Sequence, residues 1–308
     1  MQPTRYDRER EANELAGMAT QAHAAGRLDE ALAHADGAVA AAEAIVSAHP
    51  ADAQARWMLA GQLYNRAGVH NTLGDHVAAG GDAQRSFEIY QRLAALAPPC
   101  IPQRADAQAR LARALAFAAT RPGVSAVSAR EHAEAAVQTY RELVAYDAAQ
   151  RPGLARVYYL QGEVHRALDG EGTPGSIAAY AAAAAEYRAL GPVSPADRLS
   201  FADAVMRLAY GYAEAEALDE ARDAATEAVD QYALVARETG LHENYPRALS
   251  LLGMVQRMLG DPEAEQSLVD ARYLITRLHE PLAPDLAEIR DWLDPAATRR
   301  RPSERDPS

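Results

Sequence analysis

The first residues to consider are those that carry out hydrolysis or bind metal ions in enzymes. None of the nine histidines has a histidine four residues on or a glutamate three residues before it. Those spacings are typical of zinc protease helices and di-iron bundles. Ser125 and Ser128 lie near His132, but no nucleophile turn surrounds them. The sequence therefore predicts no catalytic residue and no metal ligand, although a site built from distant segments or hidden in the loop 121–128 is not visible in this pattern.

One glycine motif resembles a phosphate-binding loop. Residues 170–175 read GEGTPG and match G-x-G-x-x-G. A dinucleotide site needs a strand before this motif and a helix after it, whereas the preceding LQGEVHRALD has a helical pattern. The segment is predicted to be a loop between helices, and no cofactor is expected.

No lysine is present and all 31 basic residues are arginine, so arginine also fills positions where lysine would serve, which lowers the value of any single arginine as a functional signal. Arginine forks pair well with carboxylates. Polar residues of the segments defined below as helix A form the predicted partner-binding set: Arg56, Asn65, Arg66, Arg110, Arg113, Arg156, Tyr159, Arg166, Arg207, Tyr210 and Arg257. The alternative is that several of these arginines bridge neighbouring helices of the same chain.

Composition limits the partners and the compartment. The chain has 308 residues and a net charge of -12, which argues against general nucleic-acid binding. A single cysteine, Cys100, excludes an intrachain disulfide and fits a reducing compartment. Charged residues interrupt every apolar run, so no membrane span and no secretory leader are expected. A soluble, cytoplasmic protein is predicted.

Two markers recur along the chain with a common period. Tyrosines recur at intervals of 41 to 50 residues, at Tyr90, Tyr140, Tyr187, Tyr232 and Tyr273. Turn residues precede them at similar intervals, at Gly26, Gly74, Gly123, Gly170, Glu216 and Gly260. Periods of this size are the signature of a repeat array.

Each predicted unit contains helix A, a glycine turn, helix B and a proline-containing loop. Helix A of the second unit is predicted at about 51–73 and helix B of the third at about 129–148, from apolar residues at helical spacing. Charge is divided between the two sets, since the helix A segments are net positive and the helix B segments net negative. Each tyrosine is expected to pack its ring between successive helix B layers, with its hydroxyl near water.

The turn segments resemble a known family. GRLDEAL at 26–32, EALDEAR at 216–222, GDHVAAG at 74–80 and GDPEAEQ at 260–266 resemble the turn between the helices of a tetratricopeptide repeat, and WMLAGQLY at 57–64 resembles its first helix. The longer unit is similar to a roughly 48-residue variant common in actinobacterial arrays. The resemblance covers about residues 10–280, or six units.

The resemblance implies an all-α fold, an α-solenoid in which about six antiparallel helix pairs form a right-handed superhelix and helix A lines a concave groove. We expect one repeat domain over residues 1–294, closed by a terminal helix at 284–293 that packs through Leu286, Ile289 and Trp292. Residues 295–308 are polar and proline-rich and are expected to be disordered.

Three functions follow from these patterns. The first is a non-catalytic scaffold or adaptor that binds a protein or peptide, with the arginines favouring an acidic or C-terminal segment. The second is a regulatory sensor, in which a ligand or peptide changes the array and so the activity of a partner protein. The third is an enzyme with a helical-repeat body, for which the sequence offers no motif.

Overall fold

The structure is a computed structural model that describes residues 4–97, 100–118, 126–191, 194–278 and 282–293. All regular secondary structure in these ranges is helical, as predicted. The chain divides into two compact units, Met1–Gly170 and Glu171–Ser308. Unit 1 contains α1 (Arg5–Ala24), α2 (Leu28–Ala48), α3 (Ala53–Thr72), α4 (His76–Ala94), α5 (Ile101–Ala118), α6 (Ala126–Tyr146), a short 3-10 helix (Ala148–Gln150) and α7 (Arg151–Asp169). Unit 2 contains α8 (Pro174–Leu190), α9 (Pro195–Glu214), α10 (Leu218–Thr239), α11 (Asn244–Leu259), α12 (Ala264–Ile275) and α13 (Pro284–Trp292).

Within each unit the helices stack in chain order as antiparallel pairs. Helices α1 to α7 pack successively on one another in unit 1, as do α8 to α12 in unit 2, and odd-numbered helices also contact each other. This is α-solenoid packing, so the predicted fold class is confirmed. The single repeat domain of residues 1–294 stays a prediction, and the predicted tail 295–308 lies outside the described residues.

Polar caps explain where several helices begin. Thr4 and Asp7 form a reciprocal capping box at the start of α1. Asp52 accepts hydrogen bonds from the first backbone N–H groups of α3, and Ser194 does the same for α9. Pro195 follows Ser194 in the first turn, where a missing N–H does no harm. The predicted proline-containing breaks therefore coincide with helix starts in the described residues, and Pro98 and Pro99 lie outside them.

The turns between helix A and helix B require a left-handed backbone. Gly26, Gly74, Gly170 and Gly260 have positive φ angles, which glycine adopts without strain. Glu216 occupies the same place in its repeat with φ of 59° and is a non-glycine residue in this region. The predicted turn positions are confirmed, except for Gly123, which lies outside the described residues.

Each even-numbered helix buries a ladder of four positions with the spacing i, i+4, i+7 and i+11. The ladders are Ala31–Ala35–Ala38–Ala42, Ala79–Ala83–Ser86–Tyr90, Ala129–Ala133–Ala136–Tyr140, Ser176–Tyr180–Ala183–Tyr187, Ala221–Ala225–Ala228–Tyr232 and Ala264–Leu268–Ala271–Ile275. Small residues at most of the first three steps let neighbouring helices approach closely. In the four ladders of α4, α6, α8 and α10 the fourth step holds the tyrosine that the repeat marker detected.

The ladder corrects one member of the tyrosine series. Tyr273 is 57% exposed, and Ile275, which is 1% exposed, occupies the fourth step of α12. The other four tyrosines are buried, so the packing role predicted for them is confirmed.

The predicted surroundings of the rings were wrong in part. The rings face the next odd-numbered helix: Tyr187 lies 6.2 Å from Phe201, and Tyr232 stacks on Tyr245 at 6.5 Å. The hydroxyl of Tyr140 bonds to Asp106 instead of facing water. Each of these rings therefore ties one repeat to the next.

The terminal helix α13 agrees with its predicted bounds. Leu286 is 1% exposed, whereas Trp292 remains 39% exposed. Asp285 in the first turn of α13 forms a two-pronged ion pair with Arg247 of α11, with distances of 2.6 and 2.9 Å. Thus α13 covers the end of unit 2 through one buried leucine and one ion pair.

Candidate functional site

Arg110 of α5 lies across the surface of α3. Its guanidinium carbon is 3.8 Å from the centre of the Tyr64 ring, a cation–π contact. A side chain at Gly68 would overlap the guanidinium, so this glycine makes room for it. Within the described part of the chain Arg110 has no carboxylate partner, and its Nε is buried without an acceptor. Arg110 is therefore held in one position, and its N–H groups are not bound to a carboxylate of the described residues.

His23 of α1 lies next to this cation. Its Nε2 is 2.8 Å from the hydroxyl of Thr72 on α3. Burial lowers the pKa of His23, and the charge of Arg110 lowers it further. Helices α1, α3 and α5 thus bring together an imidazole, a hydroxyl and a guanidinium on one face of unit 1, which we call the unit 1 face.

Arg113 and Arg166 extend the same face around a buried carboxylate. Glu163 of α7 is 1% exposed and accepts from Arg113 at 3.4 Å and from Arg166 at 3.1 Å. Both guanidinium carbons lie over the ring of Phe117, at 5.2 and 5.0 Å. A carboxylate buried this deeply needs such partners to stay charged. Arg110 lies one helical turn before Arg113 on α5, so the described part of the unit 1 face carries three guanidinium groups.

Two other predicted arginines bind carboxylates within the chain. Arg66 forms a bidentate pair with Asp82 of α4, at 2.6 and 2.7 Å, and also contacts Asp36 of α2. Arg156 of α7 holds Asp106 of α5 at 2.8 Å. These pairs join neighbouring helices of the chain, as the alternative interpretation of the arginines predicted, and their forks are occupied.

The remaining members of the predicted set are dispersed. Arg56 donates to the carbonyl of Pro50 at the start of α3. Asn65 is exposed on α3, and Tyr159 is half-buried on α7.

In unit 2, Arg207 pairs with Glu171 at 3.4 Å and Arg257 with Glu265 at 2.8 Å. Tyr210 of α9 is half-buried, and burial raises its pKa. The structure thus brings Arg110, Arg113 and Arg166 together and leaves the others apart. The assignment of all eleven residues to one partner-binding groove stays a prediction.

The described residues contain no group of three or more His, Cys, Asp or Glu side chains arranged to hold a metal ion. Cys100 is a buried free thiol that packs with Tyr90 and Ala107. Among the described helices, none has the length and apolar character needed to cross a bilayer.

Solved structures with a similar fold belong to helical-repeat proteins. The Rap protein complexed with competence and sporulation factor matches with a TM-score of 0.58 at 15% identity, covering 94% of this chain and 74% of that one. The nuclear import adaptor Nro1 of S. pombe matches with a TM-score of 0.54 at 15% identity, covering 94% and 100%. BtubC from P. vanneervenii matches with a TM-score of 0.53 at 17% identity, covering 83% and 94%.

The fold is tetratricopeptide-like. No protein-family model and no curated protein sequence matches the chain. At these identities the structural likeness shows the fold alone.

The sequence pattern missed the residues that organise the unit 1 face. Glu163 lies between the buried Gly162 and Val164 on α7, and a carboxylate in such a stripe is the signal that could have pointed to it. Tyr64, Gly68 and Phe117 carried no signal of their own, because their roles depend on contacts with an arginine from another helix.

Proposed function

We propose that this chain is a non-catalytic scaffold or adaptor that binds a protein or peptide on the unit 1 face. The observation that carries the proposal is Arg110, which is held against Tyr64 and has no carboxylate partner within the described residues. A guanidinium fixed in this way loses little freedom when it binds, which favours affinity. The ligand group that matches it is a carboxylate, from an acidic side chain or a free C-terminus.

Charge outside this face supports selectivity for one site. The whole chain carries a net charge of -12, so an acidic partner is repelled over most of the surface and attracted where the arginines cluster. Both effects are screened beyond about 8 Å at 0.15 M salt. Binding of an acidic segment should therefore weaken as salt rises, because salt screens the attraction that brings the segment to the arginines.

The alternative is a regulatory sensor that uses the same face as its input site. The Rap neighbour was solved in complex with competence and sporulation factor. A peptide that drew Arg110 away from Tyr64 would change the contact between α3 and α5, and a partner could read that change. A cytoplasmic location, the absence of nucleic-acid or membrane partners and the actinobacterial type of repeat remain predictions from the sequence.

The test begins with peptides selected from a random library displayed with free C-termini. The selected peptides should be enriched in Asp and Glu, and calorimetry should show an affinity that falls with salt. Arg110→Gln should weaken binding about tenfold, the effect of losing one charge-assisted hydrogen bond. Arg92→Ala, which removes a highly exposed arginine of α4, is the control and should have little effect.

Gly68→Ala tests whether affinity depends on the position of the Arg110 guanidinium or on the net charge of the chain. The new methyl group displaces the Arg110 guanidinium without removing it, so the charge of the chain is unchanged. We expect a loss of affinity similar to that of Arg110→Gln. Gly81→Ala, a helical glycine with open space around it, is the matched control. Peptides without acidic enrichment, or equal losses for Arg92→Ala and Arg110→Gln, would reject the proposal.

A further inference from the structure

Unit 2 contains a cavity on the side of its odd-numbered helices. The cavity has a volume of about 400 Å³ and lies between α9, α11 and α13. Its lining consists of Tyr210, Ser250, Met254, Asp285, Glu288, Ile289 and Trp292. Asp285, Glu288, Ile289 and Trp292 recur at helical spacing, so one face of α13 forms a complete wall.

The inner lining of this cavity is mainly apolar and aromatic. Met254 of α11 contributes an adaptable thioether, and Tyr210 and Trp292 contribute ring surfaces from α9 and α13. Ser250 donates its hydroxyl to the carbonyl of Pro246, so it offers the cavity no spare donor. The guanidinium carbon of Arg257 lies 5.7 Å from the Trp292 ring, which shows that a cation already contacts this indole.

The charges around the cavity leave an acidic excess. Arg247 is shared by two carboxylates, Asp285 at 2.6 Å and Glu243 at 3.3 Å. Arg207 is paired with Glu171, and Arg257 with Glu265. Glu288 is exposed on α13 at the rim and has no cationic partner among the described residues. A ligand entering this cavity therefore meets aromatic walls and an uncompensated carboxylate.

We propose that this cavity binds an apolar side chain of a partner polypeptide that has a positively charged Arg or Lys neighbour. The apolar group fills the space between Tyr210, Met254 and Trp292, and the cation reaches Glu288. The site rests on the proposed function only in that its ligand is a polypeptide. Its charge preference is opposite to that of the unit 1 face, so a partner would need an acidic segment and a separate apolar–basic one.

Trp292 provides a local reporter for the test. The chain has two tryptophans, so Trp57→Phe leaves Trp292 as the single indole. We would titrate this full-length variant with 4-phenylbutylamine and with 4-phenylbutyrate, which share a ring and a chain and differ in charge. Emission from Trp292 should change saturably with the amine, and the amine should bind at least about fivefold more tightly, the effect of roughly 1 kcal/mol from one exposed charge contact.

Glu288→Gln should reduce this preference to within about twofold, whereas Asp270→Asn, a neutralisation on the exposed side of α12, should preserve it. Circular dichroism of each variant confirms that the helices are intact. Equal affinity for the two probes in the Trp57→Phe protein, or a preference that survives Glu288→Gln, would overturn the proposal.

Two further variants test whether the cavity holds the chain's own C-terminal arginines and whether it acts independently of the unit 1 face. Removal of residues 294–308, which include Arg299, Arg300 and Arg301, should leave amine binding unchanged. Several-fold tighter binding after this truncation would assign the cavity to the chain's own arginines and overturn the partner assignment. Arg110→Gln should not alter the amine titration. If the chain with Arg110 in place bound no acidic peptide but gave the expected amine titration, the proposed function of unit 1 would be rejected and the unit 2 site would stand.

Discussion

The hydroxyl of Tyr140 donates a 2.9 Å hydrogen bond to Oδ1 of Asp106, and Arg156 holds the same carboxylate. Burial raises the pKa of Tyr140, which keeps the hydroxyl protonated as a donor. Unit 2 repeats the arrangement, since Asp203 accepts from Tyr232 and from Asn244. One carboxylate thus fastens both helices of a repeat to the first helix of the next.

Removing the Tyr140 ring should destabilise the fold more than removing its hydroxyl. We expect Tyr140→Ala to lower the free energy of unfolding by about 3–5 kcal/mol through loss of a buried ring. Tyr140→Phe should lower it by about 1 kcal/mol through loss of one hydrogen bond. Urea unfolding followed by circular dichroism measures both. Tyr146→Ala, at a 93% exposed position of the same helix, should change little.

Gly153 of α7 faces the Tyr140 ring so closely that a Cβ atom there would overlap it. Gly153→Ala should therefore destabilise the protein by about 1–3 kcal/mol, the range for overpacking a core. At Gly81 on α4 the added methyl group meets open space, and Gly81→Ala should stabilise by about 0.5–1 kcal/mol. The Tm values of the two variants should shift in opposite directions. A shift in the same direction would contradict the close contact between Gly153 and the Tyr140 ring.

The left-handed backbone at Glu216 is a site of strain. Glu216→Gly should stabilise the protein by about 0.5–1 kcal/mol, because relief of the left-handed conformation exceeds the added freedom of the unfolded chain. Gly74→Ala makes the reverse change at φ of 79° and should destabilise. Chemical denaturation of both variants provides the comparison, and a destabilised Glu216→Gly protein would show that the glutamate side chain is needed.

Stability should depend on pH through His23. Its pKa in the folded protein lies below the ordinary value of 6.5, so the unfolded chain binds the proton more readily. Stability should be fully present above about pH 6.5 and fall as the pH drops toward the lowered pKa. His23→Gln should remove this part of the decline when the free energy of unfolding is measured at a series of pH values. His49→Gln, at an exposed position, should leave it in place.

The repeat period and the helix bounds could be predicted because each depends on local features. Glycine at a left-handed turn and proline at a helix start act through the backbone of their own segment, so their spacing can be recognised in the amino-acid sequence. The error at Tyr273 has the same origin. A tyrosine two residues from the correct place kept the period, and only the burial of Ile275 shows the true register.

The pairing of the arginines could not be predicted in the same way. Arg66 and Asp82 are 16 residues apart, and Arg113 and Glu163 are 50 apart. Which carboxylate an arginine reaches depends on how three helices stack, and a sequence that uses arginine for every cation gives no hint. Arg110 differs from Arg113 only in its surroundings, so the sequence pattern predicted the same partner-binding role for both.

The ladder of the even-numbered helices also bears on how such a chain changes length during evolution. Because each interior ladder has the same spacing and ends in a tyrosine, a duplicated or deleted unit finds a matching neighbour with few new substitutions. The first ladder ends in Ala42 and the last in Ile275, so neither end presents the tyrosine of the interior units. Gain and loss of units should therefore be tolerated better between the tyrosine-bearing ladders than beside the ladders that end in Ala42 and Ile275.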